Sequence, residues 1–303
     1  MKRICCTSLA VSLLVLPACS GGASADAVKL VPDEAEFIVG MNPKAITGSE
    51  VYKAFSEDME KEDDYKEMMK VFEDCNLKPT EFDSVVVGAT AKEDFVAVVV
   101  GAGVGKDENA SCVIKGIQKM GGEEEAAEVS TNEGKKIIQF EDGRAYLVND
   151  NMLALTTTSW ETKIGELIDK KGTPAVDNSK KDLFAKVDSK AAMWFVANVP
   201  AEVAGMGAML GAPEIADVKT AIGSVDLSKG VALNFVAGFG DEAKAKAVAE
   251  KINGMVTEMK NIPDAKEFEN VTNSLKIEAA GGDVNFAVSA TMDDINKAKE
   301  KAK

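Results

Sequence analysis

The sequence contains no histidine. Histidine is the general base of Ser-His-Asp and Cys-His sites and a common zinc ligand, so its absence excludes both kinds of nucleophilic site and any imidazole-dependent zinc site. A pair of carboxylates can hydrolyse a glycosidic bond without histidine, which leaves a carboxylate-dependent hydrolase open as a distant alternative. Otherwise the sequence predicts no catalytic residue, no metal ligand set and no cofactor.

Cysteine is also scarce, with five residues. Cys5 and Cys6 lie in an N-terminal segment that we expect to be removed, and too few thiols then remain for a four-cysteine metal site. Cys75 ends one predicted helix and Cys112 begins another, on either side of a predicted hairpin. We predict that these two form a disulfide, which an oxidising compartment allows. Two separate buried thiols are the alternative.

Long apolar runs are missing apart from one at the N-terminus. Residues 1–18 have the layout of a secretory signal, and the uncharged run Ile4–Leu16 has about half of the roughly 20 residues that a membrane-spanning helix needs. The end of this segment, Leu16-Pro-Ala-Cys19, resembles the lipobox of bacterial lipoproteins. The resemblance implies cleavage before Cys19 and acyl chains such as palmitate on that cysteine, which attach the protein to a membrane. An ordinary cleaved signal is the alternative.

The residues after the cysteine indicate where the anchored protein resides. Residues 19–27 carry small and polar side chains, which favour a flexible tether. Ser20 occupies the position at which an aspartate marks inner-membrane retention in enteric bacteria. We therefore expect the protein on the non-cytoplasmic side of a membrane in the cell envelope, with the outer membrane favoured in a Gram-negative cell.

The chain is acidic, with a formal net charge of −15. Loss of Lys2 and Arg3 with the signal makes the mature charge −17. Such a body is repelled by nucleic acid and by anionic lipid headgroups, which excludes nucleic acid as a partner. The partners that remain are the membrane, through the acyl chains on Cys19, and an unidentified protein or hydrophobic ligand.

Internal similarity suggests a duplication. Three pairs of segments match in the order of their elements: Ala35–Pro43 with Ala192–Pro200, Phe95–Gly103 with Ala232–Gly240, and Ala145–Lys171 with Ile277–Lys303. The first pair has contiguous apolar residues stopped by proline, which is typical of buried strands. The sequence predicts an α+β fold with two similar halves, each an antiparallel sheet with packed helices.

The expected organisation follows from these matches and from the turn-rich stretch between them. It consists of a signal peptide (1–18), a flexible tether (19–27), a first α+β half (28–172), a linker (173–187) and a second α+β half (188–303).

The segment Leu30–Phe55 resembles the opening of bacterial envelope lipoproteins that have no established activity. These typically begin with Pro-Asp-x-Ala, present here from Pro32, followed by a buried strand. A Lys-Ala-Ile step and a Ser-x-x-Tyr step come next, here at Lys44 and Ser49. The resemblance implies an envelope location and a duplicated α+β fold, and it implies no catalytic residue.

Two further motifs have a structural and a functional interpretation. The glycines of Gly101–Lys106 lie between a strand and a helix, where phosphate-binding loops occur, but both the P-loop and the dinucleotide spacing are missing. The carboxylate clusters Glu57–Asp64 and Glu123–Glu125 lack the spacing of a calcium-binding EF-hand loop. We interpret the glycines as turn residues and the carboxylates as solvated surface.

The segment Pro200–Pro213 is unusual because Glu202 is its only charged residue. Its apolar residues recur at helical spacing, while three glycines weaken a helix. Methionine adapts to irregular apolar surfaces. The residues predicted to form an apolar contact surface are Val203, Met206, Met209 and Leu210. The alternative is a helix squeezed between the two halves.

These observations favour a non-catalytic, membrane-anchored envelope lipoprotein that binds a partner or contributes to surface architecture. A carrier or sensor of a hydrophobic ligand, held in a groove near residues 200–213, is the second hypothesis. An apolar pocket would favour the carrier, and an exposed apolar patch beside a filled core would favour partner binding.

Overall fold

The computed structural model describes residues 23–120, 127–201, 204, 216–261 and 268–301. The strands in these ranges are β1 Phe37–Met41, β2 Ser84–Ala89, β3 Phe95–Val100, β4 Val129–Asn132, β5 Lys135–Phe140, β6 Gly143–Asn149, β7 Met152–Thr157, β8 Met193–Asn198, β9 Thr220–Asp226, β10 Val231–Gly238, β11 Lys276–Ala280 and β12 Asp283–Ala290.

Helices lie before, between and after these strands. They are α1 Ala23–Ala27, α2 Pro43–Gly48, α3 Glu50–Met59, α4 Asp63–Asp74, α5 Asp107–Met120, α6 Glu161–Ile168, α7 Lys181–Phe184, α8 Glu242–Lys260, α9 Glu269–Ser274 and α10 Met292–Lys301. Short 3₁₀ helices lie at Val28–Leu30, Pro79–Glu81, Thr158–Trp160 and Ala175–Asp177. Helices packed on an antiparallel sheet are the predicted α+β class.

The strands form one twelve-stranded sheet in the order β11-β12-β10-β9-β8-β1-β2-β3-β7-β6-β5-β4. Every neighbouring pair is antiparallel. The expected two sheets are therefore continuous, because β1 pairs with β8 and places Val39 opposite Phe195. Each strand would otherwise leave a row of unpaired backbone groups at an edge, and the pairing satisfies both rows.

The strand order on the two sides of the β1–β8 pair is the same. Moving outward, one side runs β1-β2-β3-β7-β6 and the other runs β8-β9-β10-β12-β11. The first side continues with β5 and β4, whereas β11 ends the sheet within the described residues.

One face of the sheet carries the main core. Ile38, Val86 and Val98 have no exposed surface and pack with Trp194, which is 2% exposed. The indole ring of Trp194 lies across Gly40, where an added Cβ would be 2.1 Å from the ring. Glycine at this position therefore allows a large aromatic side chain to cover the join between β1 and β8.

The opposite face is covered by a helix near each end of the sheet. The α5 side chains Ala110, Val113 and Ile114 pack in one buried cluster with residues of β5, β6 and β7. On the other side, Ala245 and Ala249 of α8 pack with residues of β10, β11 and β12.

The predicted tether at 19–27 is too long. Residues 23–27 form α1, and the side chain of Ala27 is fully buried in the main core together with Val28. The body therefore begins before residue 28. Small residues that looked flexible in sequence pack closely because alanine fits against β2 and β3, which α1 contacts.

The predicted linker at 173–187 is a packed part of the body. The carboxylate of Asp33 accepts hydrogen bonds from Asn178 Nδ2 at 2.7 Å and from the backbone N–H of Ser179 at 2.9 Å. Lys180 is 2% exposed, and its ammonium donates to Ser179 Oγ at 3.2 Å. Burial lowers the pKa of Lys180. These contacts fix the segment to the loop before β1.

Candidate binding surface

Between α5 and α8, the centre of the sheet presents a row of apolar side chains on the face opposite the main core. We call this surface the central strip. Cross-strand partners point to the same face of a sheet, and the strand registers place the following residues on it: Phe37, Val39, Met41, Val85, Val87, Phe95, Met193, Phe195, Val225 and Leu233.

The strip is continuous from strand to strand. Met41 lies opposite Val85 on one side and opposite Met193 on the other. Met193 in turn lies opposite Val225, which lies opposite Leu233. Direct cross-strand neighbours have Cβ atoms about 5 Å apart, so these side chains contact one another in an unbroken line.

A second line of contacts is aromatic. The ring centroids of Phe195 and Phe235 are 5.9 Å apart, and those of Phe235 and Phe286 are 5.5 Å apart. Gly223 lies between Phe195 and Phe235 in the register. An added Cβ on Gly223 would be 2.3 Å from Cε1 of Phe195, so glycine lets that ring reach its neighbour.

The two faces of the sheet differ in exposure at its centre. On the strip, Phe95, Met193 and Leu233 are 39%, 38% and 39% exposed, and the other members are half-buried. On the core face, neighbours such as Ile38 and Val196 are fully buried. Contiguous exposed apolar surfaces on proteins are commonly sites of contact with a partner, a ligand or a membrane.

The strip carries no ionisable side chain, so it offers shape and apolar area without acid–base chemistry. Within the described ranges, no group of three or more potential ligands is placed to hold a metal ion. In the same ranges, no helix has both the length and the apolar composition to cross a bilayer.

A separate cleft of about 880 Å³ lies where β8, β9 and β12 meet α2, α3 and α10. Its lining carries both signs of charge, including Lys44, Lys190, Asp188, Asp226 and Asp293. Lys44 is paired with Asp83 across 2.5 Å. This polar lining differs from the apolar pocket expected of a hydrophobic carrier.

The glycine loop Gly101–Lys106 has a structural explanation. Its backbone N–H groups donate within the protein: Gly103 N–H to Asn151 Oδ1 at 2.9 Å and Gly105 N–H to the carbonyl of Asp150 at 3.1 Å. A Cβ on Gly105 would be 2.0 Å from the carbonyl oxygen of Asn149. The glycines therefore allow the loop to approach the β6–β7 turn.

The structure joins Cys75 and Cys112 by a disulfide, with Cα atoms 5.6 Å apart. The bond connects the end of α4 to α5. Nearby, Gly116 of α5 allows close approach, since a Cβ there would be 2.3 Å from Val71 Cγ1 of α4. Cys112 and Cys75 line a surface groove together with Lys70 and Lys119.

Other predicted site residues lie outside the described residues. These are the lipidation residue Cys19 and the apolar set Val203, Met206, Met209 and Leu210. The central strip itself was not anticipated as a surface. A signal was present in β1 and β8, whose apolar residues are contiguous, but such runs were interpreted as strands buried on both faces.

Comparison with known proteins adds information on the fold. No protein-family model matches the chain, and no characterised protein matches it by sequence. Crystal form III of TP0453 aligns with a TM-score of 0.52 and 7% identity, covering 89% of this chain and 96% of that one. Crystal form I of TP0453 gives a TM-score of 0.51 and 7% identity, covering 91% and 97%. At this identity the similarity concerns the fold alone.

Proposed function

We propose that the protein is a non-catalytic envelope lipoprotein that is anchored through Cys19 and binds an apolar surface of a partner protein through the central strip. The observation that carries the proposal is the exposure of Met193 and Leu233 in one unbroken line of apolar side chains, with Phe95 exposed farther along the same face of the sheet. Burying a large apolar side chain contributes roughly 1.5–3 kcal/mol, so a partner that covers these three gains substantial affinity.

The chemistry of the strip supports binding rather than catalysis. Its members are aliphatic, aromatic or methionine side chains, none of which moves a proton at neutral pH. Methionine and aromatic side chains are common at protein contacts because they adapt to, or fill, an apolar pocket on the partner.

The openness of the strip favours a protein partner over an enclosed ligand. It runs across a sheet between two helices, and the separate cleft of about 880 Å³ is lined by side chains of both charges. A hydrophobic ligand lying along the strip is the second candidate function, supported by the aromatic line from Phe195 to Phe286.

The resemblance of Leu16–Cys19 to a lipobox and that of Leu30–Phe55 to the opening of envelope lipoproteins support the location. We further propose that the chain arose by internal duplication. The identical strand order on the two sides of the β1–β8 pair and the three matched segment pairs support this origin.

Site-specific photocrosslinking tests the binding surface. The photoreactive residue p-benzoylphenylalanine replaces Leu233 or Met193 in the acylated protein in intact cells, and the next residue, Asn234, serves as the matched control. Asn234 is also exposed but points to the opposite face of β10. We expect one protein adduct from positions 193 and 233 and none from 234.

A second variant shows whether the adduct depends on the strip. Leu233→Glu introduces a charge that must be desolvated on binding, so the adduct from position 193 should decrease, whereas Asn234→Glu should leave it unchanged. A lipid adduct would favour the hydrophobic-ligand function. Equal labelling from positions 233 and 234, or no adduct, contradicts the proposal.

A further inference from the structure

The strand β11 ends the sheet within the described residues and pairs with β12 on one side. A two-residue turn, Gly281–Gly282, joins the two strands and sets Ala280 opposite Asp283. In a hairpin of this length the residues that flank the turn form a hydrogen-bonded pair, and bonded and non-bonded pairs then alternate. The backbone groups of Ile277 and Ala279 therefore point away from β12, along the edge.

A side-chain contact agrees with this assignment. Asn253 of α8 donates from Nδ2 to the carbonyl oxygen of Ile277 at 3.0 Å. The carbonyl therefore points to the outer side of β11, where Asn253 of α8 is its hydrogen-bond donor. Asn253 supplies a single donor, so it satisfies one of the backbone groups on this edge.

The matching edge in the first half is occupied. There β6 holds the position that β11 holds in the second half, and β5 pairs with it in antiparallel orientation. The two halves also join through antiparallel pairing of the equivalent strands β1 and β8. In the first half, the edge equivalent to that of β11 is therefore already paired with a further strand.

The side chains of β11 are complementary to a second copy of the strand. When two β11 strands lie antiparallel with Ile277 opposite Ile277, Lys276 of each copy lies opposite Glu278 of the other. Opposite charges in directly opposed positions stabilise a strand pair. With Glu278 at the centre, two like charges would face each other, so the charges select the first register.

We propose that β11 is a self-association edge through which two copies of the protein form a symmetric dimer with a continuous sheet. The two-fold axis passes between the paired Ile277 residues, whose N–H and C=O groups exchange two hydrogen bonds. Lysine on an exposed edge usually discourages pairing with other strands. Here the neighbouring Glu278 makes the same edge compatible with itself.

Asn253 competes with the partner strand in this arrangement. The Ile277 carbonyl that accepts from Asn253 in the single copy accepts from the partner's backbone N–H in the dimer. Asn253→Ala removes the competing donor from both copies. A net hydrogen bond contributes about 0.5–1.5 kcal/mol, so the dissociation constant should fall by roughly tenfold.

Sedimentation velocity of the acylated protein in detergent, over a concentration series, measures the association. Lys276→Glu and Glu278→Lys should each weaken it by about tenfold, because two opposed pairs per dimer become like-charged. The double exchange Lys276→Glu/Glu278→Lys should restore it. Lys92→Glu, in the β2–β3 turn, makes the same change of charge away from the edge and should have no effect.

Ala279→Pro is the backbone test. Proline removes an N–H that points outward and is tolerated on an edge strand, so β11–β12 pairing persists while dimerisation is lost. Circular dichroism checks that the sheet is retained. A protein that stays monomeric both as wild type and as Asn253→Ala overturns the proposal, as does a dimer that Ala279→Pro and the single charge reversals leave intact. The crosslinking of the central strip is independent of either result.

Discussion

Loss of the Cys75–Cys112 disulfide should loosen α4 more than any other helix that the structure describes in the first half. No residue of α4 is fully buried, and the helix contacts α5 next to the bond. The perturbation is reduction of the native protein, with the double variant Cys75→Ser/Cys112→Ser as the matched form that cannot reoxidise.

The size of the stability loss follows from the length of the loop that the disulfide closes. The two cysteines are 37 residues apart. Restricting a loop of this length in the unfolded chain stabilises the folded state by about 4 kcal/mol. The apolar contacts of α4, Val71 against Gly116 and Phe72 edge-on against Phe82, leave both side chains only half-buried and should offset only part of this loss. We therefore expect α4 to open locally in the reduced protein while the sheet remains folded.

Hydrogen exchange measured by mass spectrometry distinguishes local opening from global unfolding. Amides of α4 should exchange at least tenfold faster in the reduced protein and in the double variant, whereas β1 and β2 should keep their protection. Urea unfolding should give a lower free energy for both forms than for the oxidised protein. Equal exchange rates of α4 in oxidised and reduced protein, or coincident urea midpoints, would contradict this expectation.

Three further predictions concern separate parts of the chain. Gly223→Ala should lower the free energy of unfolding by about 1–3 kcal/mol, measured in urea, because the new Cβ displaces the Phe195 ring; an unchanged midpoint would contradict this. Asp58 should titrate with a pKa of about 2 by NMR, because the ammonium groups of Lys61 and of Lys299 in α10 donate to its carboxylate. Its stabilising contribution should be present above the unfolded pKa near 3.8 and be lost as the pH falls towards 2; in Lys61→Met the pKa should rise, and no rise would exclude that contact. Cys19→Ala should give an uncleaved precursor that takes up no labelled fatty acid, and any uptake would disprove the anchor.

The local elements were largely predictable from the sequence. Contiguous apolar residues stopped by proline indicated the strands now seen as β1 and β8, and the hairpin predicted between Cys75 and Cys112 is formed by β2 and β3. These predictions succeed because side-chain spacing and turn chemistry act within a few residues.

The packing of small or polar segments was not predictable in the same way. Residues 23–27 have the composition of a tether, and residues 173–187 that of a linker. Their burial depends on partners that are distant in sequence: α1 contacts β2 and β3, and Asn178 and Ser179 bind Asp33. The composition of a segment depends only on its own residues, so it does not indicate contacts with residues that are distant in sequence.

The sequence by itself determined the α+β class and the absence of histidine, and it predicted a similar order of elements in two halves. Only the tertiary structure decided that β1 pairs with β8, that Gly223 and Gly40 make room for aromatic rings, and that one face of the central strands stays partly exposed. An apolar strand can pair with any other apolar strand through the same backbone hydrogen bonds, so its neighbour is chosen by the arrangement of the whole chain. The same arrangement decides which part of the sheet is covered by a helix and which part stays partly exposed.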